Sequence, residues 1–328
     1  MFASRTDVAS RPGTFNYLAA TTEPSLIRNG RVLTQRNSDG SDGEWRGVQL
    51  VAHTVAVSDA RSLDGENRRT LQRNGFELLA APIGDSPMDF LDHEVVVRKY
   101  YEPCAELVRE ASGASVTVAF DHNVRSASGK AGHHRISGGQ QVQGPAHIVH
   151  GDYTLTSAPQ RLRDLTKPPS GSDTLAASMK QQGPLIDPDL AEHALQQGRF
   201  AIINVWRNIV SEPVLVNPLA LCDAAQVEPD DLVVFEIHYD HRIGENYFAR
   251  HSARHRWYFF PEMVRDEALL IKQWDSAGRF AESDGARGDR GGTNGPCTFS
   301  FHSAFADSHA PDDAPDRWSI EVRCIAIY

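Results

Sequence analysis

No run of apolar residues in this 328-residue chain approaches the roughly 20 needed to cross a bilayer as a helix. Basic residues are in the minority: 33 Lys and Arg stand against 43 Asp and Glu, a formal net charge of −10. A sequence-independent grip on phosphate backbones needs the opposite balance, so nucleic acid is not an expected partner. Cysteine is scarce. Cys104, Cys222, Cys297 and Cys324 lie far apart and form no CxxC pair. That spacing excludes a zinc ribbon or a local iron–sulfur motif, and four cysteines in a chain this long do not make a disulfide scaffold; buried free thiols are expected. No GxGxxG follows a strand and no GxxxxGK[ST] occurs, which disfavours nucleotide-binding α/β folds. The first 15 residues lack the apolar core of a secretory signal. The expectation is an acidic cytoplasmic protein with no membrane partner; the oligomeric state is not legible.

What is present suits a globular core, with 40% hydrophobic residues and 14 histidines. The first 45 residues are polar, carry SDGSDG at 38–43 and read as loop. The Val-rich alternation at 47–61 predicts a strand, 89–111 a helical stretch ending at Gly113, and 115–125 another strand. The polar, Gly-rich segment 126–144 reads as a lid or an unordered loop. A strand is expected at 148–156. A helical insert follows at about 157–199, in which Asp187, Pro188 and Gly198 suit N-cap, N1 and C′ of a helix. Short strands are then predicted at 201–209, 218–223, 232–239, 256–261, 268–275, 298–305 and 319–328. Segment 277–296 is charged and Gly-rich and reads as mobile; its Arg287-Gly288-Asp289 is taken as a chance match. The fold class expected is mainly β with helical decoration, a jelly-roll or double-stranded β-helix of the cupin kind. One domain is expected, with 1–114 as an N-terminal α/β extension and 115–328 as the core.

The chemistry centres on His150-Gly151-Asp152. Residues i and i+2 of a strand share a face, so an imidazole and a carboxylate stand side by side. They supply two-thirds of a 2-His-1-carboxylate set, which leaves open positions on Fe(II). A second HxD, His238-Tyr239-Asp240, ends an apolar strand with little chain after it and reads as a solvated pair. The third ligand is sought downstream, at His255 or His302. Alternation in TFSFHSAF sets Ser300, His302 and Ala304 opposite Phe299, Phe301 and Phe305. In the last predicted strand it puts Arg317, Ser319, Glu321 and Arg323 on one face. Two arginines on one face call for anions, and guanidinium forks match carboxylates. A dicarboxylate cosubstrate such as 2-oxoglutarate satisfies that demand, and so do local acids. In NVWR, Asn204 and Trp206 share one face and Val205 and Arg207 the other.

The blocks FDHNVR at 120–125, VHGDYT at 149–154, NVWR at 204–207, HRWYFFPEM at 255–263, DEALLIKQWDS at 266–276, FHSAF at 301–305 and RWSIEVR at 317–323 run in one order. With DAR at 59–61 and NGFEL at 74–78 they cover the chain from about residue 50 onward. In this it resembles the Fe(II)/2-oxoglutarate-dependent oxygenases that include the cephamycin 7α-hydroxylase component and the AsaB-type hydroxylase/desaturases. The resemblance implies a double-stranded β-helix and iron held by His150, Asp152 and a distal histidine. The order of distal His and downstream Arg points to His302 over His255. It further implies Arg317, helped by Arg323, on the far carboxylate of 2-oxoglutarate, with O2 as cosubstrate. The substrate is then a small specialised metabolite, hydroxylated or desaturated, and Tyr153, Trp206, Arg207 and His255 are substrate-pocket candidates. A carboxylate at position 152 argues against a halogenase. The rival is a cupin-like metal-binding barrel that binds a small ligand or runs redox-neutral chemistry; there, Arg317 and Arg323 are both engaged in internal ion pairs.

Overall fold

A computed structural model of the chain describes residues 9–37, 43–84, 88–169, 173–176, 178, 183–239, 242–281 and 296–328. Its strands, in chain order, are β1 (Ser10–Leu18), β2 (Leu33–Gln35), β3 (Leu50–Asp59), β4 (Phe76–Ala80), β5 (Val116–Arg125), β6 (His150–Gly151), β7 (Phe200–Asn208) and β8 (Leu219–Cys222). They continue with β9 (Leu232–His238), β10 (Ile243–Ala249), β11 (Trp257–Phe259), β12 (Glu267–Asp275), β13 (His302–Ala304), β14 (Ala306–Asp307) and β15 (Ser319–Ile327). The helices are α1 (His93–Lys99), α2 (Tyr101–Ser112), α3 (Ala127–Ala131), α4 (Ser157–Asp164) and α5 (Pro188–Gln196). Among the described residues no helix is long and apolar enough to cross a membrane.

Two sheets carry the fold. The larger has the order β14-β1-β3-β11-β8-β13-β6-β10-β9-β2, the smaller β4-β12-β7-β15-β5. Every pairing in the smaller sheet is antiparallel. Its strands alternate as a two-faced sheet must. On β7, Ala201, Ile203 and Val205 point to a cluster that α1 and α2 cover with Val96, Tyr100, Tyr101, Cys104 and Val108. Ile202 and Trp206 point the other way, into clusters shared with the larger sheet. Burying each such large side chain is worth about 1.5–3 kcal/mol. The result is a mainly β molecule with α1 and α2 laid on the outside of the smaller sheet.

Local chemistry sets the helix ends. Asp92 accepts from Val95 N at 3.0 Å to start α1. α2 stops where Gly113 takes φ +72°, a conformation that favours glycine. Asp187 caps α5 with Pro188 at its first turn, and Gly198 N returns to the His193 carbonyl, as the sequence indicates. The helical stretch expected over 89–111 is divided in two at Tyr100, whose φ of −116° departs from the regular helical value while its ψ of −24° stays in the right-handed region.

Several expectations need correction. Residues 10–18 and 33–35 are strands, not loop. The 126–144 segment is built around α3, with Ser126 capping Gly129 N at 2.8 Å. Asp316 ties it down by accepting from Ser126 Oγ, Ser128 Oγ and Ser128 N. The strands expected at 148–156 and 298–305 shrink to two and three residues. β10 was not anticipated. β1–β3 and β4 join the two main sheets, so both sheets draw strands from either side of residue 115. Arg287-Gly288-Asp289 and most of 277–296 lie outside the described residues. The four cysteines are free, and Cys104, Cys222 and Cys324 are buried.

Two registers are broken, both next to the site. On β12 the pairing skips from Lys272 to Trp274, so Gln273 is the extra residue. On β5 it skips from Asp121 to Ala119, so Phe120 is extra. A bulge of this kind re-aims side chains locally.

Candidate metal centre

β6 is short but central in position, paired to β13 on one side and β10 on the other. The β13 register sets His302 directly opposite His150. Side chains opposite one another on an antiparallel pair lie close, and the two imidazole centroids are 4.3 Å apart. Asp152, two residues past His150, comes to the same place. Its Oδ1 lies 3.6 Å from His150 Nε2 and 3.8 Å from His302 Nε2. One ligand atom from each of the three fits within 4.8 Å of the others. Gly151 lies between them with no room to spare: a Cβ there meets the Phe299 ring at 3.1 Å.

The protonation states suit a divalent cation. His150 Nδ1 faces the Ile148 carbonyl oxygen at 2.8 Å. That contact makes Nδ1 the N–H donor and leaves the Nε2 lone pair free. Burial, then the neighbouring His302, pushes His150 down to about 4. Burial lowers His302 as well. For Asp152, burial acts to raise the pKa, but Arg323 and the two imidazoles overcome it and hold the carboxyl below its ordinary range. The set near neutral pH is two neutral imidazoles and one carboxylate, which metal ligation requires. On this chemistry the residues fit a single divalent ion.

The smaller sheet supplies the support. Asn204 Nδ2 donates to Asp152 Oδ2 at 3.0 Å. Asp152 N donates to Gln273 Oε1 at 3.1 Å, a contact the β12 bulge makes available. Arg323 places Nε and Nη2 each 3.4 Å from Asp152 Oδ2, Nη1 2.7 Å from Asp121 Oδ2 and Nη2 3.3 Å from Glu321 Oε1.

A narrow cavity opens beside the two histidines. It is lined by His150, His302, Trp206, Arg125, Arg317 and Glu321, with Ala146, Leu219 and Ala304 completing the wall. Arg317 is 3% exposed. Its Nη1 donates to the Asn217 carbonyl, and its Cζ sits 5.6 Å from the Trp206 ring centroid. Arg125 Nη1 donates to the Gly144 carbonyl at 3.0 Å. Among the described residues neither guanidinium has a carboxylate within salt-bridge distance. Burial and then Arg125 push Arg317 down to about 9; burial also lowers Arg125.

The structure thus brings together His150, Asp152, His302, Arg317 and Trp206. Arg323 reaches the cluster too, but among carboxylates. His255 does not: its Nδ1 is 3.2 Å from Tyr17 Oη and its Nε2 3.3 Å from Asp231 Oδ2. Arg207 lies on the far face of β7, donating to Tyr100 Oη and to the carbonyls of Ala81 and Arg265. Tyr153 follows Asp152 and packs partly buried on the main core cluster; burial raises its phenol to about 12. His238 pairs with Glu236 at 2.9 Å, and Asp240 lies outside the described residues. Arg125 and Gln273 were not singled out from the sequence, and Asn204 was placed only by its face of the strand. The polar i, i+2, i+4 series Asp121, Asn123, Arg125 on an otherwise apolar strand was the available signal for the first. Gln273 had none, because its aim depends on the bulge.

Fold and site together define a class: a mainly β protein with a buried His-Asp-His set able to hold one metal ion. The chain belongs to the family described as the oxidoreductase/YMDC permease-like domain, whose model matches residues 15–327. It is 42% identical over 195 residues to an uncharacterized protein in the dcmA 3′ region of Methylophilus leisingeri, covering 59% of this chain and 88% of that one. It is 26% identical to the hydroxylase/desaturase efuI of Hormonema carpetanum, over 96% and 94% of the two chains. It is 29% identical to the Fe(II)/2-oxoglutarate-dependent dioxygenase nvfI of Aspergillus novofumigatus, over 83% and 82%. Among solved structures, the iron and alpha-ketoglutarate-dependent endoperoxidase NvfI superposes with a TM-score of 0.70 at 23% identity, covering 97% of this chain and 98% of that one, a likeness of fold. The resemblance to Fe(II)/2-oxoglutarate-dependent oxygenases drawn from the sequence is borne out.

Proposed function

We propose that this chain is an Fe(II)/2-oxoglutarate-dependent oxygenase that hydroxylates or desaturates a small specialised metabolite. The observation that carries this reading is one cavity holding both halves of the requirement. Its inner end has two neutral imidazoles beside a carboxylate. Its wall has the buried guanidinium of Arg317 and the partly buried one of Arg125, and neither meets a carboxylate among the described residues. His150, Asp152 and His302 hold the iron. Arg317, with Arg125 beside it, takes the far carboxylate of 2-oxoglutarate, and Trp206 braces the Arg317 guanidinium. Bound iron supplies the oxygen chemistry, with 2-oxoglutarate decarboxylated to succinate. The protein orients the two carboxylates of the cosubstrate and keeps the ligand imidazoles deprotonated. The two sheets are read as a double-stranded β-helix of jelly-roll type, which sets the histidines on adjacent strands, Arg125 at the end of a strand of the facing sheet and Arg317 just before another. The redox-neutral barrel needs both arginines in internal ion pairs, and Arg317 has none among the described residues. The acidic charge supports a small-molecule substrate and a cytoplasmic setting over a nucleic-acid or membrane partner.

The test is an anaerobic titration of the purified protein with Fe(II) and then 2-oxoglutarate, following the visible charge-transfer band of the chelate. A band that appears for the wild type and vanishes with His302→Ala supports the reading. A folded wild type that binds iron yet gives no band refutes the cosubstrate assignment.

A further inference from the structure

Arg323 was expected on the cosubstrate, but its surroundings assign it elsewhere. It sits on β15 opposite Asn204 of β7 and Asp121 of β5. Its five N–H donors face three acids at once: Asp152, Asp121 and Glu321. Two of those donors, from Nε and Nη2, converge on one atom, Asp152 Oδ2. The Asn204 amide donates to that same oxygen at 3.0 Å. No hydrogen bond among the described residues reaches Asp152 Oδ1, which faces the Nε2 atoms of both histidines. The Gln273 contact to the Asp152 backbone fixes the main chain that carries the carboxylate.

We propose that Arg323 and Asn204 are positioning residues that make Asp152 a one-oxygen ligand. They saturate Oδ2 with three donors, so only Oδ1 is left for the metal. The consequence is stoichiometric. A carboxylate that chelates through both oxygens takes one more place on the ion; holding it to one oxygen keeps that place for cosubstrate or oxygen. Arg323 is thereby removed from the cosubstrate clamp, which falls to Arg317 and Arg125. The inference rests on the metal assignment made above for His150, Asp152 and His302.

Co(II) alone serves as the probe, with no turnover needed. Wild type, Arg323→Gln, Arg323→Lys, Asn204→Ala and His302→Ala are compared by visible absorption and by metal titration, with near-UV circular dichroism confirming the fold. Releasing Oδ2 is expected to change the Co(II) d–d bands of Arg323→Gln and Asn204→Ala. Metal affinity is not the deciding readout for Arg323→Gln, because chelation by the freed oxygen and loss of a neighbouring cation both tighten binding while loss of orientation loosens it. Arg323→Lys, which keeps the charge and a donor, should recover part of the wild-type spectrum. Should Arg323→Gln fail to fold, Asn204→Ala tests the same oxygen without disturbing any charge. Unchanged Co(II) spectra in both variants overturn the proposal. A wild type that binds Co(II) no better than His302→Ala overturns the metal reading itself and this inference with it.

Discussion

Arg317→Met tests the cosubstrate clamp and the electrostatics of the free protein at once. The arginine is nearly fully buried, and its pKa, lowered to about 9 by burial first and Arg125 second, records an unfavourable charged state. The lowered value means that the unfolded chain holds the proton more tightly than the folded one. At neutral pH both states are charged, so the full penalty falls on the fold, and it is relieved only as pH rises past 9. At about 1.4 kcal/mol per tenfold change, the ceiling is on the order of 4–5 kcal/mol. Methionine forfeits the bond to the Asn217 carbonyl and the contact with Trp206, each worth about 1 kcal/mol. A net gain of at most about 2–3 kcal/mol remains, or roughly 3–4 °C in Tm. Binding moves the other way. Losing charge-assisted bonds to a carboxylate is worth about 2–4 kcal/mol, or roughly 30- to 1000-fold in affinity for 2-oxoglutarate. Thermal melts of the free protein and anaerobic 2-oxoglutarate titrations of the iron-loaded protein read the two effects separately. A variant that melts several degrees lower refutes the electrostatic reasoning. Unchanged 2-oxoglutarate affinity refutes the clamp.

Other outcomes follow from the same contacts. His302→Ala should abolish tight Fe(II) binding in equilibrium dialysis while His255→Ala retains it, because only His302 stands beside His150 and Asp152. Gly151→Ala should weaken metal binding and lower Tm, since its Cβ presses on Phe299; wild-type metal affinity in that variant contradicts the packing argument. Asp275 is buried and paired with Arg199 at 2.6 and 2.9 Å and with Lys272 at 2.8 Å. Burial raises its pKa, but the Arg199 hydrogen bond and the Lys272 charge lower it further, so its net position is below the ordinary value. Its stabilisation is therefore present above the unfolded-state pKa of about 3.9 and is lost as pH falls toward the lower folded value. Asp275→Asn should cost about 3–5 kcal/mol in urea unfolding at pH 7, with a gap that narrows below about pH 4; a gap unchanged down to pH 3 is incompatible with this account.

How much the sequence disclosed depended on whether a residue's direction is set locally. His150 and Asp152 were legible because i and i+2 on a strand share a face wherever that strand lies. The same rule separated Asn204 and Trp206 from Arg207, and it placed Arg317, Glu321 and Arg323 together. It could not say which of those arginines meets an acid, because Asp121 and Asp152 come from elements about 200 and 170 residues away. Nor could it choose between His255 and His302, a matter of which strand pairs with β6. β1 was missed because Pro12 and Gly13 read as turn, although both sit within its pairing with β3. β10 was missed because Gly244, Glu245 and Asn246 look like a loop; Glu245 is in fact buried and accepts from Thr154 Oγ1 at 2.6 Å. The two bulges obey no local pattern at all, yet one of them delivers Gln273 to Asp152.

The place of β15 between β7 and β5 bears on how the molecule is made. Both neighbours leave the ribosome more than a hundred residues earlier, and neither can pair with the other. Until residue 327 has emerged, the smaller sheet is two separate pieces with their inner faces open. The nascent chain therefore carries an exposed β edge through the last third of its synthesis, a period in which chaperone holding or strand-capture by another copy competes with folding. Arg317, Glu321 and Arg323 arrive on that same late segment. A ribosome that stalls before residue 317 releases a chain that has His150, Asp152, His302, Arg125 and Asn204 but lacks Arg317 and Arg323. The His-Asp-His set is thus synthesised before Arg317 and Arg323, and the full cluster is completed only by the last segment of the chain.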